Sequence, residues 1–112
     1  MFKQLINYLF LISPIIKFQI KEKSMEPGIK EGSVVLINRY HYLFKKPEAG
    51  DMVVLRDPTD SKRFIIKRVK ELKDGRVFVI GDNEKESVDS RQFGWIDKKN
   101  ILGKVFFKIS NS

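Results

Sequence analysis

Two residues of this chain have types and settings that could support hydrolysis. Ser24 lies in the stretch SMEP, residues 24–27, and Lys67 lies at the centre of IIKRV, residues 65–69. A serine hydroxyl acts as a nucleophile when a neighbouring base removes its proton. A lysine amine can be that base if burial among apolar groups lowers its pKa towards neutrality. The sequence therefore offers Ser24 and Lys67 as a candidate nucleophile and base.

Histidine, the usual base beside a nucleophilic serine, has weak support in this chain. The one histidine is His41, which lies in RYHYLF between two tyrosines, a setting that favours exposure or packing against aromatic rings over catalysis. The chain contains no cysteine, which excludes disulfides, a thiol nucleophile and thiolate ligands. With one histidine and no cysteine, we expect neither a metal site nor a cofactor.

The residues around Lys67 predict a strand that is covered on both sides. On such a strand Lys67 shares one face with Ile65 and Val69, whereas Arg68 shares the other face with two further apolar side chains. Because both faces are mostly apolar, we expect one of the two cations to be partly buried, and only lysine can usefully lose its proton. The alternative is that both side chains extend past their apolar neighbours to water.

Ser24 follows a predicted strand over residues 16–22 and therefore lies where a strand passes into a turn. Pro27 restricts the residue before it to extended geometry. Met25 is apolar among charged neighbours, which suggests that it turns inward beside the serine. The alternative is an ordinary turn serine that caps the loop.

The elements that must position these residues are mostly strands. Alternating apolar residues and β-branched runs predict strands over residues 16–22, 34–38, 52–55, 63–72, 76–80 and 101–109. The dipeptide Asp74-Gly75 between two of these runs predicts a tight hairpin. Strands without interleaved helices indicate an all-β fold, which we expect to be a small sheet or partly open barrel formed by residues 15–112.

Residues 1–14 predict a separate, short apolar helix. Their apolar block is far shorter than the about 20 residues that a spanning helix needs, so we expect no full transmembrane helix. We expect this helix to dock on its own domain or to lie in a membrane interface. The alternatives are a secretory signal peptide with Lys3 as its basic start, and an anchor that a partner protein continues.

The chain is basic, with 22 lysines and arginines against 14 acidic residues and a formal charge of +8. Such a surplus favours anionic partners, such as a membrane surface or nucleic acid. The lysines are scattered and no nucleic-acid motif stands out, so we expect peripheral membrane contact and no specific nucleic acid. The alternative explanation of the charge is that basic residues keep a small domain soluble. We expect a location in the cytoplasm or at the membrane surface.

Four segments, in order, resemble the boxes of the signal peptidase I family of serine–lysine peptidases. SMEP resembles the nucleophile box Ser-Met-x-Pro, and IIKRV resembles the Lys-Arg-Val box. GDMVVLRDP, residues 50–58, resembles the Gly-Asp-x-Val-Val box, and GDNEKESVDSRQFG, residues 81–94, resembles the last box. The likeness runs from about Phe18 to Val105 and implies the all-β catalytic core of that family.

The resemblance implies a serine endopeptidase with Ser24 as nucleophile and Lys67 as general base. Its partner would be a precursor protein that carries an N-terminal leader peptide. The remaining matched positions would support the dyad or border the substrate: Ser87 would orient the amine, Asp89 and Arg91 would form a structural pair, and Met25 and Pro27 would contact substrate.

Some positions depart from the family pattern. Gly28 stands where the family often has threonine, and Ser33 follows Gly32 where the family has aspartate. Some members have an oxyanion-stabilising serine two positions before the nucleophile, where this chain has Glu22. An ionised carboxylate only accepts hydrogen bonds, so Glu22 should not stabilise an oxyanion. The backbone N–H of Ser24 is then one donor, and the second donor is unassigned.

Several functions stay open at this point. The compact spacing most resembles nickel superoxide dismutase maturation peptidases, which remove a leader to free the metal-binding amine of their substrate. A minimal membrane-associated signal peptidase I for secretory precursors is the alternative. Self-cleaving repressor-type peptidases fit poorly, because only 23 residues precede Ser24. A non-catalytic basic β-barrel that binds nucleic acid or membrane is a further alternative.

Overall fold

A computed structural model describes residues 13–109, and its main elements are strands. The strands are β1 (Ile15–Gln19), β2 (Val34–Asn38), β3 (Met52–Asp57), β4 (Asp60–Lys73), β5 (Arg76–Ile80), β6 (Ile96–Asp97) and β7 (Ile101–Ile109). The helices are short: α1 (His41–Phe44), α2 (Ser90–Phe93) and two 3-10 turns, Glu84–Glu86 and Lys98–Asn100. The predicted all-β fold is confirmed.

The predicted N-terminal helix falls on residues 1–14, of which the structure describes only the last two. That expectation therefore lies outside the described residues. Among the helices of residues 13–109, none has the length and apolar character needed to cross a bilayer.

The strands form one antiparallel sheet in the order β1-β2-β7-β3-β4-β5-β6. β7 lies between β2 and β3, so it connects the β1–β2 pair to the rest of the sheet. β1 and β6 form the two edges of the described sheet. Of the two predicted forms, the structure has an open sheet.

The strand bounds agree with the sequence pattern at most positions. β2 and β7 have the predicted bounds, whereas β4 begins three residues earlier than the predicted run over 63–72. β1 ends at Gln19 instead of residue 22, because the chain there leaves β2 and enters the turn that carries Ser24 (residues 20–33, the serine turn). The predicted connection over 39–50 contains α1, which Tyr42 anchors by donating its hydroxyl to Asp51 at 2.8 Å.

The hairpin between β4 and β5 has the predicted turn. Asp74 and Gly75 both have positive φ, 52° and 77° respectively. Two successive positive φ values match the right-handed twist of the flanking strands, and glycine adopts such a value without steric cost.

Two apolar clusters cover the two faces of the central strands. One contains residues from the serine turn, β2, β3 and β4, namely Ile20, Met25, Ile29, Val35, Ile37, Val54 and Ile66. The other contains residues of β3 to β6, namely Val53, Leu55, Ile65, Val69, Val77, Val79 and Ile96. Successive residues of β3 and β4 thus enter opposite clusters, as the two-sided pattern predicted, and Lys67 lies in the covered part of β4.

Gly103 of β7 lies where strand backbones approach most closely, and this gives a test of the sheet order. A Cβ there would lie 2.5 Å from the carbonyl oxygen of Asn38, 2.6 Å from Cγ2 of Ile37 and 2.8 Å from Cα of Arg39. Because backbone cannot move aside cheaply, we expect Gly103→Ala to lower the free energy of unfolding by about 2–3 kcal/mol in urea denaturation.

Gly28→Ala is the matched control, since its added Cβ would meet only the Met25 carbonyl oxygen at an ordinary 3.7 Å. Equal stability of the two variants would contradict the close approach of β7 to β2.

Candidate active site

The serine turn, residues 20–33, places Ser24 inside the protein. Ser24 and Met25 are both fully buried, and Met25 packs in the first apolar cluster as the sequence predicted. The turn is closed by backbone bonds, from the N–H of Glu26 to the carbonyl of Lys23 at 3.1 Å and from Ile29 to Met25 at 3.0 Å.

The peptide bond between Glu26 and Pro27 is cis, and Pro27 is exposed. That Met25 and Pro27 contact the substrate stays a prediction.

Lys67 is the buried cation of its strand. Its side chain is 2% exposed, and Nζ donates to Ser87 Oγ at 3.1 Å and lies 3.4 Å from Oε1 of Glu22. Burial lowers the pKa of the Lys67 amine, and this effect exceeds the opposing influence of the Glu22 and Asp89 carboxylates. The predicted burial of one of the two cations is confirmed, and it is the lysine. Arg68 turns instead to Asp82, with bonds of 2.9 and 2.7 Å.

The Ser24 hydroxyl and the Lys67 amine meet at one carboxylate oxygen. Ser24 Oγ donates to Oε1 of Glu22 at 2.8 Å, the same atom that faces Nζ of Lys67, and has a longer contact with the Ile66 carbonyl at 3.5 Å. Residues 24 and 67, distant in sequence, thus belong to one buried polar cluster. The cluster contains a hydroxyl, an amine with lowered pKa and a carboxylate.

Ser87, Asp89 and Arg91 extend this cluster behind the amine. Ser87 Oγ donates to Oδ2 of Asp89 at 2.6 Å, so one serine links the lysine to the carboxylate. Arg91 donates to both oxygens of Asp89, from Nε at 2.9 Å and from Nη2 at 2.6 Å. The backbone N–H groups of Gly81 and Arg91 also donate to Asp89, at 2.8 and 3.0 Å.

Asp89 is therefore a buried carboxylate with many donors. Burial would raise its pKa, but the hydrogen bonds from Arg91, Ser87 and the Gly81 backbone outweigh burial and hold the pKa of Asp89 well below its usual value. Because Asp89 is 0% exposed, its pair with Arg91 lies partly inside the protein.

The Gly-Asp-Asn stretch, residues 81–83, contacts the serine turn directly. The N–H of Asn83 donates to the Ser24 carbonyl at 2.7 Å. A Cβ on Gly81 would lie 2.3 Å from Ser87 Oγ and 2.8 Å from the Ser24 carbonyl oxygen, so only glycine fits between them. The acidic 3-10 turn that follows, Glu84–Glu86, is exposed. This stretch therefore keeps Ser24 and Ser87 in fixed positions relative to each other.

Two contacting residues were missed by sequence reasoning. Glu22 was identified only as a departure at the position two before Ser24, and its carboxylate instead lies between the hydroxyl and the amine. Arg63, which donates to Oε2 of Glu22 at 2.9 Å, had no signal in the sequence because it is 41 residues away from its partner. His41 packs edge-on against Tyr42, which is the non-catalytic setting that the sequence predicted.

With this geometry in place, comparison with known proteins identifies the class. The profile of the family described as signal peptidase, peptidase S26, matches residues 2–72 and 69–110. The chain belongs to this family, as the four ordered boxes suggested.

Individual relatives agree with this assignment. Over 106 residues the chain is 33% identical to mitochondrial inner membrane protease subunit 1 of Mus musculus. The aligned region covers 77% of this chain and 64% of the mouse protein. It is 26% identical to signal peptidase I V of Bacillus subtilis over 141 residues, covering 80% and 83% of the two chains. A probable signal peptidase I-1 of Synechocystis is also 26% identical, covering 80% and 68%. The chain thus spans just under two thirds of the length of the mouse relative.

The network around Asp89 predicts a pH-dependent contribution to stability. The folded pKa of Asp89 lies below the unfolded value of about 4. Its stabilisation is therefore present above about pH 4 and is lost as the pH falls through the folded pKa. We expect Asp89→Asn to lower the free energy of unfolding by about 3–5 kcal/mol near neutral pH, because it leaves Arg91 and Ser87 without their charged acceptor.

Urea denaturation at about pH 7 and about pH 3 measures this effect, and the difference from wild type should shrink at the lower pH. Asp60→Asn, at an exposed position, is the control and should change stability little at either pH. A difference for Asp89→Asn that does not depend on pH would contradict the charged network.

Proposed function

We propose that this protein is a serine endopeptidase that removes an N-terminal leader or signal peptide from a precursor protein, with Ser24 and Lys67 as its catalytic dyad. The observation that carries the proposal is the buried Lys67 amine, whose pKa is lowered and whose carboxylate neighbour also holds the Ser24 hydroxyl. Membership in the signal peptidase family supports the same activity.

The reaction follows from the chemistry of the two groups. Neutral Lys67 accepts the hydroxyl proton as Ser24 Oγ attacks the scissile carbonyl, and the collapsing intermediate releases the new N-terminus with that proton. The resulting Ser24 ester is then cleaved by a water whose proton Lys67 accepts, and Lys67 returns that proton to Ser24 Oγ as the ester bond breaks. The backbone N–H of Ser24, which donates to no acceptor among residues 13–109, is available to the oxyanion.

Ser87, Asp89 and Arg91 serve the dyad indirectly in this proposal. Ser87 accepts a hydrogen bond from the Lys67 amine and donates its own hydroxyl hydrogen bond to Asp89, so the amine has a fixed direction. Arg91 keeps Asp89 ionised and in place by its paired bonds. A fixed amine reacts without the cost of reorganisation at the moment of proton transfer.

A cleft beside the cluster supports binding of an extended peptide. β5 pairs with β4 only from Arg68 onwards, so among residues 13–109 the first half of β4 has a strand neighbour only on the β3 side. A cleft of about 460 Å³ lies between this half and the edge strand β1, with Phe18 and Phe64 in its walls and Glu22 at its border. An extended leader can pair with such strand edges, and Met25 and Pro27 lie in the turn that carries Ser24.

Two substrate classes follow from the sequence resemblances. One is a nickel superoxide dismutase precursor, in which leader removal frees a metal-binding amine. The other is the set of secretory precursors that signal peptidases process. Both contain a leader before the scissile bond, so one panel of precursors can separate them.

Replacing either dyad residue should abolish cleavage. We expect Ser24→Ala and Lys67→Ala each to lower the cleavage rate by at least about a thousandfold, because each removes a group that forms or breaks a bond. The measurement is incubation with a panel of leader-bearing precursors, including a nickel superoxide dismutase precursor, followed by mass mapping of the products.

Lys67→Met serves as a second lysine variant, because it fills the same buried space without a base. The control is Ser13→Ala, a serine that precedes β1 and lies outside both the polar cluster and the cleft, which should cleave at the wild-type rate. Cleavage by Lys67→Met at a near-normal rate would exclude the dyad. A cleavage assay that gives the same result for Ser24→Ala as for the wild type would exclude Ser24 as the nucleophile and favour a non-catalytic binding module.

We also propose peripheral contact with an anionic membrane through α1. Leu43 and Phe44 are 73% and 85% exposed at the tip of this helix. Lys45, Lys46, Lys98 and Lys99 line the adjoining cleft. Two exposed apolar side chains beside several cations suit the interface of a bilayer that contains acidic lipids.

Vesicle sedimentation tests this contact. We expect Leu43→Asp combined with Phe44→Asp to lower partitioning onto phosphatidylserine-containing vesicles by at least about tenfold, because two apolar side chains would no longer enter the interface. Val88→Asp, which changes an apolar side chain that is 64% exposed elsewhere, is the control. Equal binding by both variants would contradict a role for α1.

A further inference from the structure

Glu22 has contacts that the proposed reaction does not use. Its Oε1 accepts the Ser24 hydroxyl at 2.8 Å and lies 3.4 Å from Nζ of Lys67. Its Oε2 accepts a bond from Nη2 of Arg63 at 2.9 Å. The side chain is 18% exposed, so the carboxylate lies in a partly shielded position. One carboxylate therefore contacts both members of the dyad and one arginine.

The charge of this carboxylate acts against the base. A carboxylate next to an amine stabilises the ammonium form, and ammonium cannot accept the serine proton. The Ser24 hydroxyl also directs its proton to Glu22 in place of the amine. In this arrangement Ser24 and Lys67 both face Glu22 instead of each other, and we refer to it as the resting form of the proposed dyad.

Arg63 acts in the opposite direction. Its guanidinium neutralises part of the Glu22 charge, and as a second cation it also disfavours the ammonium of Lys67 directly. The side chain of Arg63 is 53% exposed, and its Nε lies 3.9 Å from Asp57 Oδ2, so it reaches Glu22 from the surface of the cleft. A substitution of Arg63 can therefore change the charge near Ser24 and Lys67 without disturbing the packing of the apolar clusters.

We infer, on the basis of the proposed function, that Glu22 is a positioning residue that holds the dyad in its resting form and sets the pH at which the dyad becomes active, with Arg63 opposing it. Substrate binding must move the Ser24 hydroxyl from Glu22 to the amine. Glu22 takes no part in bond making, which distinguishes it from Ser24 and Lys67.

The other charged groups near the dyad are placed less directly. Asp89 also favours the ammonium form of Lys67, but it acts through Ser87 and is paired with Arg91. Glu22 and Arg63 also line a second cleft, and the other charged residues in its walls are Lys23, Glu31, Asp57 and Glu86. Glu22 is the carboxylate in direct contact with Nζ, so its removal should have the largest effect.

We expect Glu22→Gln and Arg63→Gln to shift the acid limb of kcat/KM in opposite directions. Glu22→Gln removes the charge that stabilises ammonium, so the Lys67 pKa falls and the acid limb of kcat/KM moves to lower pH, by about one unit or more. On that limb the variant should be about tenfold faster than wild type. Arg63→Gln restores the full Glu22 charge and removes a cation, so its acid limb should move to higher pH.

Two measurements on the full chain test the inference. The first is the pH dependence of kcat/KM on whichever precursor of the panel is cut. The second is the titration of the Lys67 side chain by ¹³C NMR at its ε carbon, assigned by the loss of that signal in Lys67→Ala. Glu71→Gln, which removes the same charge at an exposed position of β4, is the matched control and should shift neither.

Opposite shifts for Glu22→Gln and Arg63→Gln, seen in both measurements, support the inference, since a merely structural role would not change sign. Shifts in the same direction, or a Glu22→Gln profile equal to that of Glu71→Gln, would overturn it. If wild-type protein cuts none of the precursors, the proposed function fails, and the NMR titration alone decides whether Glu22 and Arg63 control Lys67.

Discussion

The structure depends on a lysine amine that is kept away from water. Lys67 occupies β4 between two apolar clusters, and its side chain is 2% exposed. Moving an ammonium ion out of water is expensive unless the group loses its charge or gains partners. This site uses both routes, because burial lowers the pKa of the amine while Ser87 and Glu22 provide hydrogen-bonding neighbours.

The sheet order explains how distant segments reach this amine. β4 lies between β3 and β5, and the serine turn packs Met25 against Ile66 in the first cluster. Residues after β5 then return over the same place, where the backbone of Asn83 binds the Ser24 carbonyl and Gly81 leaves room for Ser87. The resemblance placed this segment beside Ser24 and Lys67, and the contacts show which backbone groups hold it there.

Local patterns predicted the parts of the fold that local physics determines. The alternation around Lys67 predicted burial on both faces, and Asp74-Gly75 predicted the hairpin, because each depends on neighbours within a few residues. The pairing of β7 with β2 and β3 had no such signal, since strand order depends on contacts across most of the chain. The same reason hid Arg63, whose partner Glu22 is 41 residues away. At Glu22 the family pattern identified an unusual residue but could not predict what it touches.

The two carboxylates that flank Lys67 have a common arrangement. Asp89 lies behind the amine and is paired with Arg91, whereas Glu22 lies on the Ser24 side and is paired with Arg63. Burial lowers the pKa of the amine and the charge of Arg63 adds to this effect, so the amine can sit between two anions and still have a lowered pKa. The two pairs differ in exposure, because Asp89 is fully buried while Arg63 and Glu22 border open clefts. The pair with the fully buried carboxylate therefore fixes the position of the amine, and the pair at the clefts is the one that a bound peptide could reach and rearrange.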